Sequence, residues 1–265
     1  MITQKGGDMA ATAKKENPFK GVLDIVHPAE AVPYLNLLIY GNPGVGKTTL
    51  LGTAQDHPMT TPVLIIDVEA GVTTLRRRTD IDVITARSVK DIEKIYKELY
   101  DNPGYYKTVG IDSLTELQQL DMRDIMREVV NKRPDLDPDV PSQREWGKSG
   151  QHVRKIVRAF RDLPCHTIMT ALVSEQRDNE NVLMMQPSVP GKLRQEVPGF
   201  LDIVGYMFNV TQDQQLTRKL QVVGTRRVTA KDRTDSLGDL VENPTVPMLW
   251  DLIHSNGTSD KGESK

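Results

Sequence analysis

Cysteine is nearly absent: Cys165 stands alone in 265 residues. That excludes an internal disulfide framework, and beside an apolar run the residue reads as a buried core side chain. No apolar run approaches the roughly 18 residues that a membrane-spanning helix needs. Residues 1–18 carry lysines but no apolar h-region, so no secretory signal is read there and a cytoplasmic protein is expected. Charge of one sign is missing as well. Lys and Arg number 34 against 36 Asp and Glu, a formal net charge of −2. Without a global basic field, any contact with nucleic acid must come from local basic loops. There is no internal repeat, and no linker rich in Gly, Pro or Ser divides the middle of the chain. The expectation is one α/β domain over residues 19–254, between a flexible arm (1–18) and a flexible tail (255–265).

What is present is a regular alternation. Apolar, β-branched runs occur at 35–40, 62–68, 81–86, 108–111 and 166–173, and helical patterns at 48–54, 89–100, 114–131 and 142–161. Strand and helix in repetition predict a mostly parallel central sheet flanked by helices. From residue 202 the texture changes: two strand-like runs, 202–211 and 215–223, predict an antiparallel hairpin appended near the C-terminus. Two segments, 133–141 and 178–198, each carry three prolines and read as long loops.

The most informative stretch is Gly41-Asn42-Pro43-Gly44-Val45-Gly46-Lys47-Thr48-Thr49, which fits G-x-x-x-x-G-K-[ST] directly after an apolar run. Strand, glycine loop and helix is the context that this motif requires. Gly41, Gly44 and Gly46 let the backbone curl so that N–H groups converge on phosphate oxygens. Lys47 is placed to reach the β- and γ-phosphates, and the Thr48 hydroxyl to ligate Mg²⁺. The expected ligands are therefore ATP and Mg²⁺. Two apolar runs end in acids, at Asp67-Val68-Glu69 and at Asp112-Ser113. Either strand end suits a carboxylate held rigidly beside the phosphate loop. Asp112 is also compatible with capping the helix that follows it.

Glycine loop, then D-x-E, then D-S resembles the order in RecA-type recombinase ATPases, over roughly residues 35–251. The whole is similar to the compact RecA-core proteins that phages encode. The resemblance implies an α/β, RecA-like P-loop NTPase in which Glu69 is the base that polarises water and Asp112 serves Mg²⁺ through water. Asp67 is the rival for the metal role. The segment Val228-Thr229-Ala230-Lys231-Asp232-Arg233 resembles the K-N-K segment of that family. It implies that Lys231 and Arg233 act catalytically on the ATP of a neighbouring subunit; read by itself, the segment also fits a solvated basic turn. One departure is plain. Where that family has a glutamine sensing the γ-phosphate, this chain reads Thr170-Ala171-Leu172-Val173-Ser174-Glu175-Gln176, leaving Thr170 and Gln176 as candidates.

The resemblance further implies single-stranded DNA along the two long loops, with Lys132, Arg133 and Lys148 around the first and Arg177, Lys192 and Arg194 around the second. Such cations neutralise phosphates and make binding salt-dependent. Asp135, Asp137 and Asp139 oppose this in the first loop, and Trp146 is the one nearby aromatic. The expected function is a Mg²⁺-dependent, DNA-stimulated ATPase of phage-type recombination or strand annealing. It would self-associate as a ring or filament and work beside a single-strand-binding protein or an exonuclease. A replicative helicase or helicase-loader ATPase, and a slow nucleotide-gated assembly switch, are the alternatives.

Overall fold

The computed structural model describes residues 21–22, 34–212 and 214–255. The expected arm (1–18), Asp213 and the tail beyond Ser255 lie outside the described residues. All the elements that follow lie within one segment, Tyr34–Lys265. Its strands are β1 (Asn36–Gly41), β2 (Val63–Asp67), β3 (Asp82–Thr85), β4 (Thr108–Asp112), β5 (His166–Arg177), β6 (Leu183–Pro187), β7 (Ile203–Gln212), β8 (Gln215–Gln221), β9 (Lys231–Asp232) and β10 (Leu240–Glu242). Its helices are α1 (Lys47–Gly52), α2 (Val89–Asp101), α3 (Leu114–Lys132), α4 (Gln143–Arg161), α5 (Leu193–Phe200) and α6 (Val246–Ser255).

The strands lie in the order β10-β8-β7-β1-β5-β4-β2-β3, with β6 on β5 and β9 on β7. The six from β7 to β3 run parallel, and β8 and β10 are antiparallel additions. This is the mostly parallel α/β sheet, with a C-terminal hairpin, that the sequence predicts. Alternation along β1 explains its central place. Leu38 and Tyr40 pack on the α2–α5 face, and Leu37 and Ile39 on the α1/α6 face. All four are buried, each worth about 1.5–3 kcal/mol for the aliphatic side chains, so slipping the strand by one residue gains nothing on either face.

Helix starts follow their caps. Ser142 opens α4 with a complete capping box to Glu145, and Ser88 and Ser113 cap α2 and α3. Two expectations are corrected. The helix expected over 48–54 ends at Gly52 and tightens into a 3-10 turn, Thr53–Asp56. Segment 178–198 is not one loop. Strand β5 runs on to Arg177 and pairs with β6 as an antiparallel hairpin, and α5 follows, with Pro198 inside it. The prolines terminate or pack against these elements: Pro187 is the last residue of β6, and Pro198 is buried. Loop 133–141 is as expected.

Candidate functional site

The glycine loop leaves the carboxyl end of β1, the edge where open parallel sheets hold ligands. Two positions need glycine for separate reasons. A Cβ at Gly41 would stand 2.2 Å from the Met207 carbonyl oxygen of adjacent β7. Gly46, the residue before α1, has φ 105°, in the left-handed region that favours glycine. Lys47 is buried, and its Nζ donates to the carbonyls of Gly41 (3.1 Å) and Asn42 (3.0 Å), which folds the side chain back across the loop. Burial pushes its pKa below the ordinary lysine value, while Asp112 and Glu69 pull it back up.

The first side chain beyond Lys47 links the loop to the acids. Thr48 Oγ1 donates to Asp112 Oδ2 at 2.6 Å, and Thr170 Oγ1 donates to Asp112 Oδ1. Asp112 is buried, in register with Asp67 on β2. Its carboxylate faces the loop, and Ser113, not Asp112, caps α3 through a bond from Glu116 N–H. Asp67 Oδ1 accepts from Gly71 N–H at 3.1 Å and so holds the turn after β2. Thr170 is thereby occupied in gripping Asp112. Gln176 lies far along the hairpin, bonded to Arg194.

Glu69 emerges two residues past Asp67, and its backbone N–H donates to the Asp112 carbonyl. Burial first, then the Asp112 and Glu116 carboxylates, raise its pKa; Lys47 and Ser113 act in the other direction. A carboxylate held above its usual range beside a phosphate-binding loop is suited to accept a proton from water. Among the described residues no three His, Cys, Asp or Glu side chains form a metal cage. Mg²⁺ takes one or two protein oxygens together with substrate phosphates. Here Thr48 Oγ1 and Asp112 would be the residues to hold it. The donor set and the glycine loop both fit a magnesium nucleotide.

Other expected site residues lie apart. Lys231 and Arg233 are on and beside β9, where Lys231 faces Val204, three residues before the Met207 that flanks Gly41. They stand about 10 Å toward the opposite edge of the sheet from this chain's own glycine loop. Arg233 pairs with Asp202 (3.1 Å) and donates to the Gly199 carbonyl (2.8 Å). Lys231 is half-buried, its pKa lowered mainly by that burial.

Of the expected DNA contacts, Lys192 and Arg194 meet Trp146 in one groove of about 500 Å³ between α4 and the start of α5. Lys148 pairs with Glu128 at 3.0 Å and faces a different cavity, toward α2 and α3. Arg133 lies near Asp135 (3.9 Å), and Lys132 ends α3 beside it. Arg177 donates to the Asn181 carbonyl at the turn of the β5–β6 hairpin. Reading the sequence missed this hairpin and the Thr170–Asp112 contact. The run Leu183-Met184-Met185 was the available signal for the former.

Fold and site together define a RecA-like P-loop ATPase fold. The chain belongs to the AAA_24 family, an AAA domain whose family model matches residues 34–234. No curated protein matches it. Among solved structures, it is similar to a KaiC-like protein of the archaeon Pyrococcus horikoshii OT3 (14% identity, 82% of this chain, 93% of that one, TM-score 0.42). It is also similar to the flagellar accessory protein FlaH of Methanocaldococcus jannaschii (10% identity, 77% and 81%, TM-score 0.37). Neither likeness bears on function.

Proposed function

We propose that this chain is a Mg²⁺-dependent ATPase acting on single-stranded DNA, in recombination or strand annealing of the phage type, through a single domain that hydrolyses ATP between its own copies. The convergence of Lys47, Thr48, Asp112 and Glu69 on the carboxyl edge of β1 supports the ATPase reading most directly. When bound, the metal neutralises phosphate charge. Lys47 supplies a cation to the same phosphates. Asp112, gripped by Thr48 and Thr170, keeps its carboxylate aimed at the loop. Glu69 takes the proton of the attacking water.

The groove of Trp146, Lys192 and Arg194 supports the nucleic-acid part of the reading, since it sets one aromatic face beside two cations, the pairing that holds unstacked bases and their phosphates. Arg154, in the same groove, is already paired with Glu196. Lys231 and Arg233, distant from their own glycine loop, support a role on a neighbouring copy's nucleotide.

The test is ATP hydrolysis with and without single-stranded DNA across a salt series, with Lys47→Ala as background. The expected result is stimulation that fades as salt rises and is lost in a Trp146→Ala, Lys192→Ala double variant. Turnover that DNA never changes would overturn the DNA-coupled reading in favour of a protein-partnered switch.

A further inference from the structure

Arg218, on β8, touches the glycine loop. A Cβ built at Gly46 would stand 2.8 Å from Arg218 Nε and 3.2 Å from its Cδ, so the arginine side chain fills the space that Gly46 leaves free. The backbone beneath it is fixed. Arg218 N–H donates to Asn243 Oδ1 (3.1 Å), and Asn243 N–H donates to the Arg218 carbonyl (2.7 Å). The side chain is exposed, and among the described residues its guanidinium has no hydrogen bond or ion pair. Arg226, by contrast, pairs with Asp178 and Glu180, and Arg233 with Asp202.

Register gives Arg218 a height and a flank. Gly41 lies beside Met207, Met207 faces Leu220, and Arg218 faces Asn209, two residues farther along β7. Arg218 therefore stands roughly 7 Å beyond the carboxyl end of β1, at the level of the loop. Leu220, two residues on, packs on the α1 face, which places Arg218 on that face too. Strand β8 is two strands from β1 on one side, and β4, which carries Asp112, is two strands from it on the other. A nucleotide whose γ-phosphate points to Asp112 and Glu69 turns its α-phosphate end to Arg218.

We propose that Arg218 is a nucleotide-binding residue supplied by the chain's own C-terminal hairpin, holding the α-phosphate end of the diphosphate. This rests on the nucleotide occupying the glycine loop. An arginine on that end meets ADP and ATP alike, so it strengthens binding without favouring the transition state.

The test compares ADP affinity, read by a fluorescent ADP, and ATP hydrolysis in the full-length wild type, Arg218→Ala, Arg218→Lys and Lys47→Ala. Arg218→Ala is expected to weaken ADP binding and raise KM for ATP by the same factor, about tenfold or more, with kcat within about twofold. Arg218→Lys is expected to recover part of this, since a point charge replaces a fork. A melting temperature unchanged in the absence of nucleotide separates a lost contact from a damaged fold. Unchanged ADP affinity in Arg218→Ala, or a fall in kcat with KM intact, overturns the proposal. If Lys47→Ala binds ADP as the wild type does, the glycine-loop reading has failed instead.

Discussion

At Glu69, an exposed residue, partial desolvation of the carboxyl and two neighbouring carboxylates work against ionisation, and Lys47 and Ser113 work for it. The first group wins, so the folded pKa lies above the unfolded one. The sign follows: Glu69 contributes stability fully below its ordinary pKa, and that contribution is lost as pH rises through the raised value. At neutral pH the ionised carboxylate therefore opposes folding. Glu69→Gln is expected to melt higher than the wild type at pH 7, to keep ATP binding, and to lose about 10²–10⁴-fold in kcat. In the wild type, the acid limb of the pH–rate profile is expected above that of an ordinary glutamate. A Glu69→Gln variant turning over at the wild-type rate would remove Glu69 from the chemistry. The single cysteine behaves as its surroundings dictate: buried, with its thiol pushed up to about 11, it is no nucleophile at neutral pH.

Elements show why the glycines of the loop are not equivalent. Gly41 is still part of β1, and its missing side chain is what lets β7 run alongside, with the Met207 carbonyl 2.2 Å from where a Cβ would be. Gly44 has no atom within 4 Å of a built Cβ, but its φ is 76°. Gly44→Ala is expected to cost about 1–2 kcal/mol, the penalty of a left-handed residue. Gly41→Ala is expected to lower the melting temperature well beyond that, because backbone must move. Equal melting temperatures in the two variants would contradict this. Much of the element layout was legible in residue patterns. Ser142 with Glu145 gives the start of α4 to the residue, and the loop motif announces β1 and α1. The β5–β6 hairpin was only partly legible: Leu183-Met184-Met185 signals a strand, but the prolines around it resemble loop punctuation and its pairing depends on strands meeting in register. The same holds for Thr170, which reaches Asp112 across 58 residues, and for Arg218, whose place over Gly46 follows from the stagger of β8 on β7.

For the whole molecule, the expected catalytic residues fall into two sets at different heights on one sheet. Lys47, Thr48, Asp112 and Glu69 share the carboxyl edge, while Lys231 and Arg233 stand toward the other, so a single copy does not bring them together. If sites form between copies, Lys47→Ala and Arg233→Ala, each inactive alone, are expected to regain hydrolysis when mixed, since one supplies an intact loop and the other an intact arginine. Failure of the mixture, with both variants folded, would place every catalytic group within one copy. Losing the Arg233–Asp202 pair is not expected to unfold the chain, since exposed ion pairs contribute about 0–1 kcal/mol.

Tyr40, the residue before Gly41, lies within hydrogen-bond distance of two carbonyls, those of Met185 on β6 (3.0 Å) and Thr229 (2.9 Å). A phenol has one proton for both acceptors. Whatever draws β6 away from Tyr40 leaves the hydroxyl donating to Thr229 alone, two residues from Lys231, and a shift of Thr229 leaves it donating to the hairpin. The strand that carries the phosphate loop is thus tied, one residue before Gly41, both to the β5–β6 hairpin and to the segment that leads into Lys231.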